Sequence, residues 1–173
     1  LTDTLLSPSP RKSGQFGFSV ALSGNRIIVG EPDPTAGGST GKAYIYTRLT
    51  LTGLFSVNAV QTLAASDGAA KDQFGYSVAI SGGVAAVGAP FKTSGGFTGA
   101  GQAYIFTANL AGAFAQSKIL TATTPAKDEH YGWSVAAFDD ATAGSDLVFV
   151  GAPDADNVKG SKAGEVDVWI GES

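Results

Sequence analysis

The chain has no cysteine and no methionine, one histidine, and only 15% charged residues among 173. Without cysteine there is no disulfide framework, no thiolate nucleophile and no thiolate metal ligand. Charged residues usually make up ~25% of a chain. The scarcity of Lys and Glu argues against a helix bundle, and an apolar fraction of 43% argues against a disordered tail. No run approaches the ~18 uninterrupted apolar residues of a membrane-spanning helix. No basic segment followed by an apolar stretch marks a signal peptide. A net charge of −4 and a pI near 4.8 argue against nucleic acid, whose phosphates need a Lys/Arg footprint. No Asn-x-Ser/Thr sequon occurs. Leu1 at the start, with no Met anywhere, predicts a processed product or an excised piece.

What is abundant is glycine, 24 residues of 173, twice the average usage of roughly 7%. A Gly-rich, Thr/Ser/Val-rich and weakly charged chain reads as all-β with many tight turns. Internal repetition sharpens that reading. Gln15-Phe16-Gly17-Phe18-Ser19-Val20-Ala21 recurs as Gln73-Phe74-Gly75-Tyr76-Ser77-Val78-Ala79 and as His130-Tyr131-Gly132-Trp133-Ser134-Val135-Ala136, at offsets of 58 and 57 residues. Val29-Gly30-Glu31-Pro32 returns as Val87-Gly88-Ala89-Pro90 and Val150-Gly151-Ala152-Pro153. A third block begins at Gly41, Gly101 and Gly164, and a fourth, ahead of each unit, aligns on Leu6, Leu63 and Leu120.

Four short β-branched and aromatic segments per repeat, each bounded by Gly, Pro, Ser or Asp, read as four strands. Phe16, Phe18, Val20 and Leu22 alternate with Gly17, Ser19 and Ala21, the period of two that a pleated strand requires. Ser23-Gly24-Asn25-Arg26 and Ser81-Gly82-Gly83-Val84 predict tight hairpin turns. Pro32, Pro90 and Pro153 mark the end of strand two in each copy. Four antiparallel strands in a repeat of about 60 residues are the signature of a β-propeller blade. The repeats run over about 12–67, 68–124 and 125–173. Residues 1–10 are expected to supply an outer strand to a blade completed by the C-terminal strands or by another copy. The chain thus holds three blades' worth of strands, cut one strand out of phase. A propeller ring typically has 4–8 blades, so self-association, as a closed oligomer or a filament, or membership of a larger chain is expected.

Phe-Gly followed fourteen residues later by Gly-Ala-Pro or its Gly30-Glu31-Pro32 variant, and twenty later in the third copy, resembles the FG-GAP repeat. That repeat builds the propeller of integrin α subunits and of bacterial surface proteins. Ala64 to Gly75 is especially similar to the bacterial type. Glu31 in the first GAP and Tyr131 in the third FG depart from the pattern but leave its glycines intact. The resemblance implies an extracellular or cell-surface module without enzymatic activity, acting in adhesion, protein interaction or self-assembly. It also implies calcium in the hairpin between strands one and two. Only the third copy has an enlarged acidic loop there, and Asp139, Asp140 and Asp146 resemble the family's Ca²⁺ ligands.

Other chemistry finds little support. His130 aligns with Gln15 and Gln73, which marks it as a polar loop residue rather than a general base. Ser19, Ser77 and Ser134 lack the second glycine of a nucleophile elbow and recur as scaffold positions. Gly37–Ala43 imitates a phosphate loop, but Ala36 and Ala43 stand at two of its required positions. Trp133 and Trp169 align with aromatics in the other copies and read as inter-blade core. Asp154 and Asp156 read as solvated surface. Glu31–Thr40, Phe91–Ala100 and Asp154–Ala163 differ between copies and form the candidate surface for a protein or glycan ligand. A lectin and an accessory domain of a larger surface hydrolase are the alternatives to an adhesion or assembly module.

Overall fold

The computed structural model describes residues 4–35, 39–48, 61–140 and 145–172, with Asp140 and Glu172 described in backbone only. The described residues form three antiparallel sheets and no helix. The first sheet runs β1 (Ser19–Ser23), β2 (Arg26–Glu31), β3 (Lys42–Thr47) and β4 (Gln61–Leu63), each strand beside the next. The second repeats it with β5 (Ser77–Ser81), β6 (Val84–Ala89), β7 (Gln102–Ala108) and β8 (Phe114–Leu120). The third holds three strands, β9 (Ser134–Asp140), β10 (Ser145–Ala152) and β11 (Glu165–Glu172).

Local chemistry sets these boundaries. Ser23 pairs with Arg26 and Ser81 with Val84, so both predicted hairpins close in two residues, with Gly24 and Gly82 at positive φ. β2, β6 and β10 each stop one residue before Pro32, Pro90 and Pro153, because proline has no N–H for the ladder. The register is the same in all three sheets. Ser19 lies opposite Gly30, Ser77 opposite Gly88 and Ser134 opposite Gly151.

The sheets stack through their first strands, β1 against β5 and β5 against β9, while β4 and β8 touch only at the margin. They splay from a shared inner edge in the manner of propeller blades, and the described residues close no ring. Each sheet therefore has an incoming face, toward the sheet before it, and an outgoing face, toward the sheet after it. Ile28, Ile45 and Leu63 on the outgoing face of the first sheet pack with Phe74, Val87 and Tyr104 on the incoming face of the second. Val84, Ile105 and Leu120 pack likewise with Tyr131, Val148 and Val150 of the third. The middle sheet is covered on both faces, which is why β6 reads Val-Ala-Ala-Val-Gly-Ala with every residue buried. Each such Val, Leu, Ile or Phe contributes about 1.5–3 kcal/mol of transfer free energy.

Residues 4–10 carry no strand pairing among the described residues. They lie on the incoming face of the first sheet, where Leu5 packs with Val29, Tyr44 and Tyr46 and the Tyr46 hydroxyl donates to the Leu6 carbonyl at 2.8 Å. Leu6 is 69% exposed. The equivalent of Leu63 and Leu120 is thus Leu5, ten residues ahead of Gln15 as those two are ahead of Gln73 and His130. The alignment on Leu6 is off by one, and in extended backbone a slip of one residue turns a side chain to the opposite side.

Candidate functional site

The repeated motif residues build the joints between sheets. The amide of Gly17 donates to the Gly30 carbonyl at 3.0 Å, and Gly75 to Gly88 and Gly132 to Gly151 at 3.1 Å, tying the start of each sheet to the end of its second strand. The carbonyl on the same glycine is used by the sheet before. Ser19 Oγ donates to the Gly75 carbonyl at 2.9 Å and Ser77 Oγ to the Gly132 carbonyl at 2.7 Å. Gly75 and Gly132 hold φ of +94° and +89°, where an L side chain is strained. A Cβ on Gly30 or Gly88 would run into those same carbonyls. The aromatic residue of the motif then enters the previous sheet. The Phe74 amide donates to the Thr40 carbonyl at 3.0 Å and the Tyr131 amide to Ala100 at 2.9 Å, beside Gly41 and Gly101.

At the loop end of the sheets the residues just before β1, β5 and β9 form a continuous strip. Gln15, Gln73 and His130 hold positive φ, and three residues on, Phe18, Tyr76 and Trp133 line up with ring centroids 4.8 Å apart at each step. Phe91, from the β6–β7 loop, meets Tyr76 at 5.7 Å and His130 at 5.2 Å. Phe18 is 47% and Trp133 38% exposed. The reading of Trp133 as core is therefore corrected, since its ring stacks along the rim instead of entering a joint. Trp169, in contrast, packs in the second joint, with Lys118 Nζ 6.0 Å from its ring centre.

The acidic residues of the third repeat divide into two groups. Asp139 and Asp146 are brought opposite each other on β9 and β10. Asp139 Oδ2 accepts from the Gly83 amide at 2.6 Å, and its own amide donates to Ser81 Oγ at 3.0 Å, so the residue pins the second hairpin to the third sheet. Burial, and then the Asp139 charge, push the Asp146 carboxyl above the usual range. The Asp140 side chain and residues 141–144 lie outside the described residues. Two carboxylates fall short of the six to eight oxygens calcium takes, and no cluster of three or more His, Asp or Glu is gathered among the described residues. Asp154 is not free surface. His130 Nδ1 lies 2.9 Å from its Oδ2 and Lys162 Nζ 3.2 Å from its Oδ1, and these contacts hold its carboxyl below the usual range. Asp156 accepts from Ser161 Oγ and the Lys162 amide, which shapes the β10–β11 loop.

A sequence model of the FG-GAP repeat matches residues 4–46 and 57–106. The chain belongs to the FG-GAP repeat family. No curated protein matches it in sequence. Within the FG-GAP pattern the third copy is assigned by its own Tyr131-Gly132 and Gly151-Ala152-Pro153, which make the same contacts as the matched repeats.

The FG-GAP framework also locates residues the sequence does not single out. Lys92, in a loop read from sequence as variable binding surface, is buried. Its ammonium sits 3.0 Å from Asp72 Oδ2 and donates to the Asp67 carbonyl at 2.6 Å. Lys92 thus fixes the loop to the turn ahead of β5, and Tyr104 on β7, whose Oη lies 2.8 Å from Asp67 Oδ1, holds the same turn. Asp33 is buried at φ +41° and accepts from Thr35; burial raises its carboxyl, but hydrogen bonds from Thr35 and Ser39 hold it below the usual range. The Asp33–Thr35 contact is a local turn two residues apart, whereas Lys92, Asp72, Asp67 and Tyr104 lie 20 to 37 residues apart and nothing in the local sequence signals their pairing. Of the phosphate-loop imitation, Gly37 and Gly38 fall outside the described residues; Gly41 serves the joint with Phe74.

Proposed function

We propose that this chain is a non-enzymatic extracellular or cell-surface β-propeller module that works in adhesion or assembly through protein contact on its loop face. The observation that carries the reading is the half-exposed strip Phe18–Tyr76–Trp133, set among the loops after β2, β6 and β10 on a rigid three-sheet frame. Exposed aromatics on a rigid support are the anchors that protein interfaces favour. No helix among the described residues is long and apolar enough to cross a membrane. His130, the one imidazole, is engaged with Asp154. If the chain is an accessory domain of a surface hydrolase, the catalytic groups lie outside it and the isolated chain is inert.

The test is a panel of purified extracellular proteins and a glycan array, probed with beads coated with the chain and with its Phe18→Ser and Trp133→Ser variants. Protein binding that falls in both variants supports the reading. Binding confined to sugars would favour the lectin alternative, for which the His130 imidazole against Phe91 and Trp133 is the supporting feature. Binding that neither variant weakens overturns both.

Calcium in the third repeat, on Asp139, Asp140 and Asp146, remains part of the proposal. A cation there would relieve the like-charge burden on the buried Asp146 carboxyl. Its test is the melting temperature with calcium and with chelator, in the chain and in Asp146→Asn. A calcium-dependent rise abolished by the substitution supports the site, and equal melting in both conditions removes it.

A further inference from the structure

Repeats two and three share one backbone at the turn ahead of their first strand. The Ala69 amide donates to Asp72 Oδ2 and the Ala126 amide to Glu129 Oε2, each at 2.7 Å. Lys71 and Gln73 hold positive φ, as Asp128 and His130 do. The loop after the second strand matches as well. The Lys92 amide donates to the Ala89 carbonyl at 3.2 Å and the Ala155 amide to the Ala152 carbonyl at 3.3 Å. Gly101 and Gly164 donate in turn to the carbonyls of Lys92 and Ala155, at 2.9 and 3.0 Å. Lys92 and Ala155 are therefore equivalent positions, and so are Asp72 and Glu129.

The side chains then diverge. In the second repeat the buried Lys92 ammonium stands 3.0 Å from Asp72 Oδ2, 2.6 Å from the Asp67 carbonyl and 3.5 Å from Asp67 Oδ2. In the third, the equivalent Ala155 is fully buried and carries no charge, and Thr124 takes the place of Asp67. Glu129 is only 5% exposed, yet none of the ion pairs among the described residues includes it. The neighbouring strand gains acid, with Glu165 in place of Gln102 and Asp167 in place of Tyr104. Burial, then the charges of Asp167 and Glu129, push the Glu165 carboxyl above its usual range. A buried carboxylate without an opposite charge is unfavourable. The second repeat answers its own with Lys92, and the third has no side chain that does so.

From this we infer that the third blade binds a monovalent metal cation of potassium's size where the second blade places the Lys92 ammonium, held by the Glu129 and Glu165 carboxylates and the Thr124 carbonyl. An ammonium and a potassium ion carry the same charge and have nearly the same radius, so a cradle built for one suits the other. Two of the three oxygens around Lys92 Nζ stand farther off than the ~2.3–2.6 Å at which calcium holds its ligands, and all three stand farther than the ~2.0–2.1 Å of magnesium. Two carboxylates and a carbonyl also fall short of the six to eight oxygens calcium takes. The site lies at the second joint, where Ala155 packs with Ala152 and Tyr131. It is separate from the Asp139–Asp146 hairpin, which sits at the opposite end of β10, and it goes beyond the loop-face reading without resting on it.

The test compares melting temperatures in potassium chloride and in choline chloride of equal ionic strength, choline being too large for the cradle. A cation that binds only the folded chain raises its melting temperature. The chain is expected to melt several degrees higher in potassium than in choline, with sodium between them. Glu129→Gln should melt alike in both salts. So should Ala155→Lys, which supplies the ammonium of the second repeat, and in choline it should melt above the parent chain. Asp146→Asn, at the hairpin, should keep the potassium increment. Glu129→Gln decides the matter by itself should the buried lysine of Ala155→Lys prevent folding. Equal melting of the parent chain in potassium and choline would overturn the inference, as would an increment that Glu129→Gln retains. A rise given by calcium alone and lost in Glu129→Gln would overturn the choice of ion. None of these outcomes touches the loop-face reading, whose variants are Phe18→Ser and Trp133→Ser.

Discussion

Ser7 Oγ donates to Glu31 Oε2 at 2.7 Å, and this pair occupies the place that two alanines hold in each of the other repeats. The equivalents are Ala65 with Ala89 in the first joint and Ala122 with Ala152 in the second, all within apolar clusters. The departure from Gly-Ala-Pro at Glu31 is therefore matched by a departure at Ser7. A buried carboxylate is acceptable there because the N-terminal segment brings it a donor.

A double-mutant cycle at this pair should be strongly non-additive. Ser7→Ala leaves the buried Glu31 carboxylate short of a donor and is expected to cost about 1–3 kcal/mol. Adding Glu31→Ala restores the alanine pair of the other repeats and should recover most of that loss. Urea unfolding of the four proteins measures it; additive effects would mean that the two side chains act independently.

The repeated serines should separate by position. Ser77→Ala removes the bond to the Gly132 carbonyl and is expected to cost about 0.5–1.5 kcal/mol. Ser134 Oγ makes no such bond among the described residues, so Ser134→Ala is expected to cost less. Chemical denaturation of the two variants measures the difference, and equal losses would mean that the bond across the joint contributes nothing.

The glycines opposite them should divide the same way. Gly88→Ala would place a methyl against the Gly132 carbonyl and Ser77 Oγ, both fixed by the joint. Overpacking of that kind costs about 1–3 kcal/mol. At Gly151 the added methyl would meet only the Ser134 side chain, which is able to turn away, so the expected loss is smaller. Melting temperatures of the two variants, taken under monomeric conditions, provide the comparison, and equal losses would contradict the idea that contact across the joint makes these positions glycine.

Alkali should unfold the protein through its buried phenols. Burial raises the Tyr44 hydroxyl to about 12, and burial reinforced by acidic neighbours raises Tyr104 and Tyr131 as well. In the unfolded chain these groups ionise near 10. Above that pH the unfolded state binds fewer protons than the folded one, so stability is intact below about 10 and falls as pH rises toward 12. Tyrosinate absorbance followed alongside circular dichroism should show these phenols ionising together with unfolding. Ionisation near 10 in a chain that stays folded would mean that they are not shielded.

The sequence by itself determined the repeat, the strand number of each unit, the two-residue hairpins and the strand ends at Pro32, Pro90 and Pro153. All of these are local, since turn residues, proline and a period of two act within a few residues of chain. It also determined which glycines matter, because they recur in register. Only the tertiary structure decided how those glycines are used. Gly30 and Gly75 lie in different repeats, and their close approach follows from stacking one sheet on the next. The same holds for Trp133, whose repeat position predicted core but which the stacking leaves on the rim with Phe18 and Tyr76. It holds too for Lys92 and Asp72, which become a buried pair only when a loop folds back on the turn before β5. Leu5 rather than Leu6 enters the apolar cluster, a choice the ten-residue spacing to Gln15 already carried in the sequence and the packing made visible. Periodicity reports what each segment does along the chain, whereas burial on a shared face depends on what lies across from it.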